Sequence, residues 1–162
     1  MDINFSQAYA LPAILSRSLS LKSLLGEVAD GYPDFEQWFT NKVLPESRSG
    51  HRSVLLSTYK EKVVGLAILK KSFIEPKICT LIVDKNYRGN GLGSMLLDRS
   101  VSILNTPKPL ITVPDFRMDS LAPLLESRGF VLNDMLNCYY RPRSVEFVFN
   151  SIIPQHDLTF WQ

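Results

Sequence analysis

Metal ligands and nucleophiles are scarce in this sequence. It holds two histidines, His51 and His156, and two cysteines, Cys79 and Cys138, among 162 residues. None of them falls at ligand spacing, so no metal site is expected. The cysteines stand far apart in apolar stretches, which reads as buried free thiols in a reducing compartment, with a disulfide left open. A Cys138 nucleophile would need a histidine beside it, and both histidines fall in loops. Charge of one sign is missing too. Lys and Arg total 18 against 16 acidic residues, a net charge of +2. That makes no electrostatic case for nucleic acid or an acidic membrane, although Arg48, His51 and Arg52, or Arg141 and Arg143, leave a local patch open. No apolar run approaches the roughly 18 residues of a membrane span. The opening "MDINFSQAYALPAILSRS" has no basic segment followed by a continuous apolar one, so a cytoplasmic location is expected. Internal repeats and low-complexity segments are absent.

What is present is an ordinary globular composition, 45% hydrophobic and 21% charged. One domain is expected over residues 1–150. The tail, 151–162, is apolar for a terminus, and Phe160 and Trp161 suit packing on the domain or contact with a second subunit (a homodimer) or another protein.

Residues 3–5 suggest a short strand. Leu11, Ile14, Leu15, Leu19 and Leu25 recur at helical spacing over 11–25, with Pro12 tolerated in a first turn. Asp34 with Gln37 has the form of a capping box opening a helix over 35–44, which would bury Phe35, Trp38, Phe39 and Val43. Residues 45–51 read as a loop. Runs 53–59 and 63–71 around the polar turn 60–62 form a hairpin pattern. "KICTLIV" (77–83) is apolar enough for a central strand covered on both faces. An amphipathic helix (91–104), a buried strand (110–113) and a helix (118–128) stopped by Gly129 follow. An antiparallel pair over 130–140 and 144–150 ends the domain. The order predicts an α/β fold: a one-layer mixed sheet with helices on both faces.

Between the central strand and the next helix lies "RGNGLG" (88–93). A nucleotide P-loop needs a lysine there, and none is present. A dinucleotide fingerprint needs Gly-x-Gly-x-x-Gly in a parallel unit; here the spacing is Gly-x-Gly-x-Gly after an antiparallel hairpin. The segment instead has the form Arg/Gln-x-x-Gly-x-Gly/Ala. With "TLIVDKNYRGNGLGSMLL" around it, the hairpin "EKVVGLAIL" before it and "LLESRGF" after it, it resembles the acyl-CoA loop of the GCN5-related N-acetyltransferases (GNAT) over roughly residues 52–150.

The resemblance implies the GNAT fold and acetyl-CoA as acyl donor, with no metal. Physical chemistry agrees with it. A helix N-terminus carries unpaired amides and partial positive charge, and Gly89, Gly91 and Gly93 remove Cβ atoms that would keep those amides from phosphate oxygens. The cofactor site would comprise Leu81, Ile82, Val83, Arg88, Gly89, Asn90, Gly91, Leu92, Gly93 and Ser94. The first three would offer strand edges to the pantetheine arm, and Arg88 a cationic contact. The reaction implied is direct attack of a primary amine on the thioester, the acceptor being a small amine, a protein amino group or an aminoacyl-tRNA.

The sequence departs from the family in the proton donor. Where many members carry a tyrosine before the "GF" pair, this chain has Leu124 and Leu125. The glutamate that some members carry on the following strand is absent from "LITV". Tyr139 and Tyr140 stand as candidate catalytic residues in their place, each with a core role as the alternative. Glu75 and Asp115 are candidate bases, Asp84 reads as a turn former, and Ser120 as an acid or a helix N-cap. The missing tyrosine motivates a rival reading, a non-catalytic acyl-CoA-binding module that regulates a partner. A domain that has lost the ligand altogether is a third.

Overall fold

The computed structural model describes residues 1–150. The β-branched and aliphatic runs become strands: β1 (Asn4–Gln7), β2 (Arg52–Tyr59), β3 (Lys62–Lys70), β4 (Lys77–Val83), β5 (Leu110–Pro114), β6 (Leu132–Asn137) and β7 (Val145–Phe149). They make one sheet in the order β1-β2-β3-β4-β5-β7-β6. Among the described residues only β4 and β5 pair in parallel, and the other pairings are antiparallel. β4 is the fourth of seven strands, as its apolar run requires. The turn at Lys60 and Glu61, both with positive φ, folds β2 onto β3.

The helices are α1 (Leu11–Arg17), α2 (Leu19–Gly31), α3 (Phe35–Trp38), α4 (Leu44–Ser49), α5 (Leu92–Leu104) and α6 (Met118–Ser127). One face of the sheet packs Leu92, Leu96, Leu97, Leu121 and Leu125 from α5 and α6 against Leu81, Val83 and Ile111. The other packs Leu21, Leu24, Val28, Phe35 and Trp38 against Leu66, Ile68 and Ile82. α6 ends as its sequence predicts. Gly129 has φ +77, its amide bonds to Glu126 and that of Phe130 to Leu125, closing a Schellman motif.

Several expected boundaries move. The helix expected over 11–25 is two, because Ser18 leaves the helical region and its hydroxyl accepts from the Leu21 amide at 3.2 Å, a capping role serine prefers to a helix interior. Asp34 precedes α3 without a side-chain capping bond, so the capping box does not form. The stretch expected as a loop over 45–51 is mostly helical. A π-helical turn, Phe39–Val43, carries the chain from α3 into α4, which ends at Gly50 in the left-handed region. Arg52 explains why this unusual run is held: fully buried, it stacks over Trp38 at 5.2 Å and bonds to Glu46 at 2.7 Å and Cys79 at 3.1 Å. Ser120 is not an N-cap but lies inside α6, donating back to the Arg117 carbonyl at 3.0 Å. Cys138, expected buried, is exposed; Cys79 is half-buried, and both thiols are free. His156, Phe160 and Trp161 lie outside the described residues.

Candidate active site

The site begins with a fault in the sheet. Leu69 pairs with Ile78 but Ile68 pairs with Thr80, so Cys79 is an extra residue, a β-bulge in β4. Past the bulge β4 leaves β5: the two pair only at Lys77–Leu110 and Ile78–Ile111. A cavity of about 650 Å³ opens where they part, walled by residues 78–83 on one side and Ile111, Thr112 and Pro114 on the other. Leu81 and Val83 turn their carbonyls away from β3, and two arginines meet them. Arg117 Nη1 donates to the Leu81 carbonyl at 3.1 Å, and Arg88 Nε to that of Val83 at 2.9 Å. Arg88 is also paired with Glu27 of α2.

At the mouth of the cavity β4 runs through a short 3₁₀ turn, capped by Asp84 accepting from the Asn86 amide at 2.9 Å, into the glycine segment. Asp84 is the turn former its position suggested. Gly89 and Gly91 have φ of +80° and +77°, and a Cβ on either would meet nothing within 4 Å. Their freedom is thus used for backbone conformation, and the space beside them is open. Gly91 starts α5 without a side-chain cap, leaving first-turn amides for an anion. Leu92 is buried in the core and anchors that start. Gly93 has an ordinary φ and faces Leu124.

Of the residues expected to hold a cofactor, Leu81, Ile82, Val83, Arg88, Gly89 and Gly93 line this cavity. Asn90 is exposed at the loop tip, and Gly91, Leu92 and Ser94 form the start of α5 behind it. Tyr139 and Tyr140 sit beyond the end of β6 and are not among the lining residues. The Tyr140 hydroxyl accepts from Lys77 Nζ at 3.2 Å, and its ring meets Tyr32 edge-on at 5.5 Å and Tyr139 at 4.7 Å. Glu75 pairs with Lys70 on an outer turn. Asp115 accepts from the Phe116 amide at 2.8 Å and lies 3.8 Å from Arg141. Among the described residues no group of three or more His, Cys, Asp or Glu is arranged to hold a metal ion, and no helix is long and apolar enough to cross a membrane.

The residues that sequence reasoning missed are Tyr32, Lys77, Arg117 and Glu146. Tyr32 and Arg117 line the cavity. Lys77 and Glu146 are fully buried on strands read as apolar. Burial pushes the Lys77 ammonium below its ordinary value and the phenols of Tyr32 and Tyr140 above theirs. Burial also pushes the Glu146 carboxyl up to about 7, against the pull of Arg141 and Lys77. A signal for the pair existed: each is the only Lys, Arg, Asp or Glu in a stretch otherwise fit for a strand core.

A strand split, a glycine turn and an uncapped helix start form a continuous groove. A family model described as an acetyltransferase (GNAT) domain matches residues 27–134. No curated protein matches the chain. Among solved structures, Ard1 from Thermoplasma volcanium superposes with a TM-score of 0.69 at 21% identity, covering 96% of this chain and 100% of that one. A GNAT family acetyltransferase from Elizabethkingia anophelis with acetyl-CoA bound gives 0.63 at 16%, covering 91% and 95%. The ribosomal-protein-S18-alanine N-acetyltransferase from Escherichia coli gives 0.57 at 21%, covering 71% and 79%. These likenesses are in fold.

Proposed function

The chain belongs to the acetyltransferase (GNAT) family, and from that membership we propose that it transfers the acetyl group of acetyl-CoA to a primary amine by direct attack in a ternary complex. The observation that carries the reading is the parting of β4 from β5 directly above an uncapped helix start with two left-handed glycines. The first-turn amides of α5 and Arg88 would hold the diphosphate, and the edge of Leu81–Val83, once Arg117 and Arg88 release its carbonyls, the pantetheine arm. Acetyl-CoA supplies an activated acyl group as a thioester. The chain's part is to align it with the amine, exclude water, and offer a backbone amide of β4 to charge developing on the carbonyl oxygen.

One of the similar structures, from Escherichia coli, is named as a ribosomal-protein-S18-alanine N-acetyltransferase. That favours a protein amino group as acceptor here, with small amines and aminoacyl-tRNA as the other arms of the test. Calorimetry with CoA, followed by thiol release from acetyl-CoA with spermidine, an alanine-initiated peptide, a lysine peptide and an aminoacyl-tRNA, decides the matter. Binding with release by at least one acceptor is expected. Leu124, which lines the cavity where the family pattern places a tyrosine, favours the second reading, a non-catalytic acyl-CoA-binding module. Binding without release would establish it, and no binding would overturn both. Turnover unchanged in both Tyr139→Phe and Tyr140→Phe would remove those two phenols from the chemistry.

Glu27 sets a further expectation. Its carboxylate holds Arg88 at the cavity rim, where a diphosphate would compete for the same guanidinium. A half-exposed ion pair is worth about 1 kcal/mol or less. Glu27→Gln should therefore tighten CoA binding by up to about fivefold, with the gain shrinking in high salt. Titration at two ionic strengths checks it; weaker binding in the variant would show that Glu27 positions Arg88 instead.

A further inference from the structure

Glu146 is fully buried, and neither of its carboxylate oxygens has a hydrogen-bond partner among the described residues. A carboxylate taken from water with no donor is heavily penalised, so a folded protein seldom keeps one without use for it. Its place in the sheet is specific. Glu146 pairs with Pro114 of β5 and Val148 with Thr112, and directly paired residues share a face. Glu146 therefore stands on the same face of the sheet as Thr112 and Pro114, which line the cavity.

The charged and titratable groups around it come from four elements: Lys77 of β4, Asp115 of the turn after β5, Arg141 and Tyr140 of the β6–β7 connection, and Tyr32 at the end of α2. Neither cation hydrogen-bonds to Glu146, and the Arg141 Nε is likewise buried without a hydrogen-bond partner among the described residues. Lys77 donates to the Tyr140 hydroxyl, and Arg141 stacks on Phe116 at 4.6 Å and faces Asp115. Tyr32 belongs to both settings, since it lines the cavity and lies within electrostatic reach of Glu146.

Resting on the transfer reading, we propose that Glu146 is the proton sink for the acceptor, reached through the Tyr32 phenol, and that the acceptor is accordingly an alkylamine arriving as its ammonium. One N–H proton passes to the Tyr32 oxygen as the Tyr32 hydroxyl proton passes to Glu146 through an intervening water, leaving the phenol neutral. The freed lone pair forms the C–N bond while the C–S bond breaks. The second proton of the nitrogen goes to the departing thiolate, and Glu146 later returns its own to water. Each turnover thus yields an amide, a thiol and one proton. Burial suits both groups to this: it keeps the phenol protonated and brings the carboxyl into the range where it gains and loses a proton near neutrality. Glu146 is a positioning residue in this scheme, acting through Tyr32.

The test compares wild type, Glu146→Gln, Glu146→Asp and Tyr32→Phe, with spermidine and an alanine-initiated peptide as acceptors. At pH 7 Glu146→Gln should lower kcat/KM about 100-fold, with CoA affinity by calorimetry unchanged. The deficit should close to a few-fold by about pH 9.5 as neutral amine accumulates, and earlier for the peptide, whose α-amine has a pKa of about 8. Glu146→Asp should keep part of the rate. Tyr32→Phe should show the same pH-dependent loss, and the double variant should lose no more than either single one. A Glu146→Gln deficit equal at both pH values, or no deficit, overturns the proton sink while leaving the transfer reading intact. A wild type inactive on every alkylamine overturns both. Should Glu146→Gln fail to fold, Tyr32→Phe with a pH-independent loss or none overturns the proposal by itself.

Discussion

Gly91→Val is expected to weaken CoA binding about 100-fold or more while the sheet remains folded. Gly91 sits at φ +77° as the residue that opens α5. A non-glycine residue there carries about 1–2 kcal/mol of backbone strain, and a β-branched one more. No atom lies within 4 Å of a Cβ built at this position, so crowding is not the issue. The chain relieves the strain by turning residue 91 out of the left-handed region, and that rotates the first-turn amides away from the groove. Strain plus lost amide contacts amounts to about 3 kcal/mol, or about 100-fold in affinity. Gly93→Ala is the control. A Cβ there meets Leu124 at 3.6 Å and Val83 at 4.0 Å, ordinary contact distances, and α5 gains helix propensity of about 1 kcal/mol. Its melting temperature should hold or rise. Calorimetry with CoA and thermal unfolding of both variants read the contrast; wild-type affinity in Gly91→Val would remove the amide turn from the binding site.

The same contrast shows what the sequence could disclose. Three alternate glycines marked the loop, and the loop is there, but only two of them need positive φ. The meander β2-β3-β4 could be read because each of these strands has an apolar run and a turn at its end. The place of β7 between β5 and β6 could not, since a short antiparallel pair can dock by either edge. Lengths suffered where one polar side chain outweighed periodicity. Ser18 cuts a helix that five leucine and isoleucine positions had joined, and the buried Arg52 with Trp38 carries helical structure across residues 45–49. The groove was legible because it is local, made of one strand, one turn and one helix start. The buried polar group opposite was not. Glu146, Lys77 and Tyr32 come from three elements distant in the chain, and no spacing rule links them.

Raising the pH from 5.5 to 8 is expected to cost the wild-type fold roughly 2 kcal/mol through Glu146, and Glu146→Gln to lose that dependence. The carboxyl of Glu146 titrates near 4.5 when exposed and is pushed up to about 7 in the fold. The folded state therefore holds its proton more tightly than the unfolded one. Its contribution is fully present below pH 4.5 and is lost as the pH rises through about 7. At about 1.4 kcal/mol per unit the full difference is about 3.5 kcal/mol as an upper bound, of which roughly 2 falls between pH 5.5 and 8. Glu46 and Asp84 act with the opposite sign. Arg52 and Lys42 beside Glu46, and the Asn86 amide with Lys62 at Asp84, hold both carboxyls below their ordinary values. Both therefore favour the fold above their ordinary values, a contribution that is lost as the pH falls through their lowered ones. Burial lowers Lys77, so the fold regains stability as the pH rises toward 10.5, the ordinary lysine value. Urea unfolding of wild type and Glu146→Gln at pH 5.5 and 8 isolates the one group, since the other three are common to both. Parallel pH slopes would mean that Glu146 keeps its charge in the fold, and a carboxylate ionised throughout that range would be too weak a base to hold an acceptor's proton at pH 7.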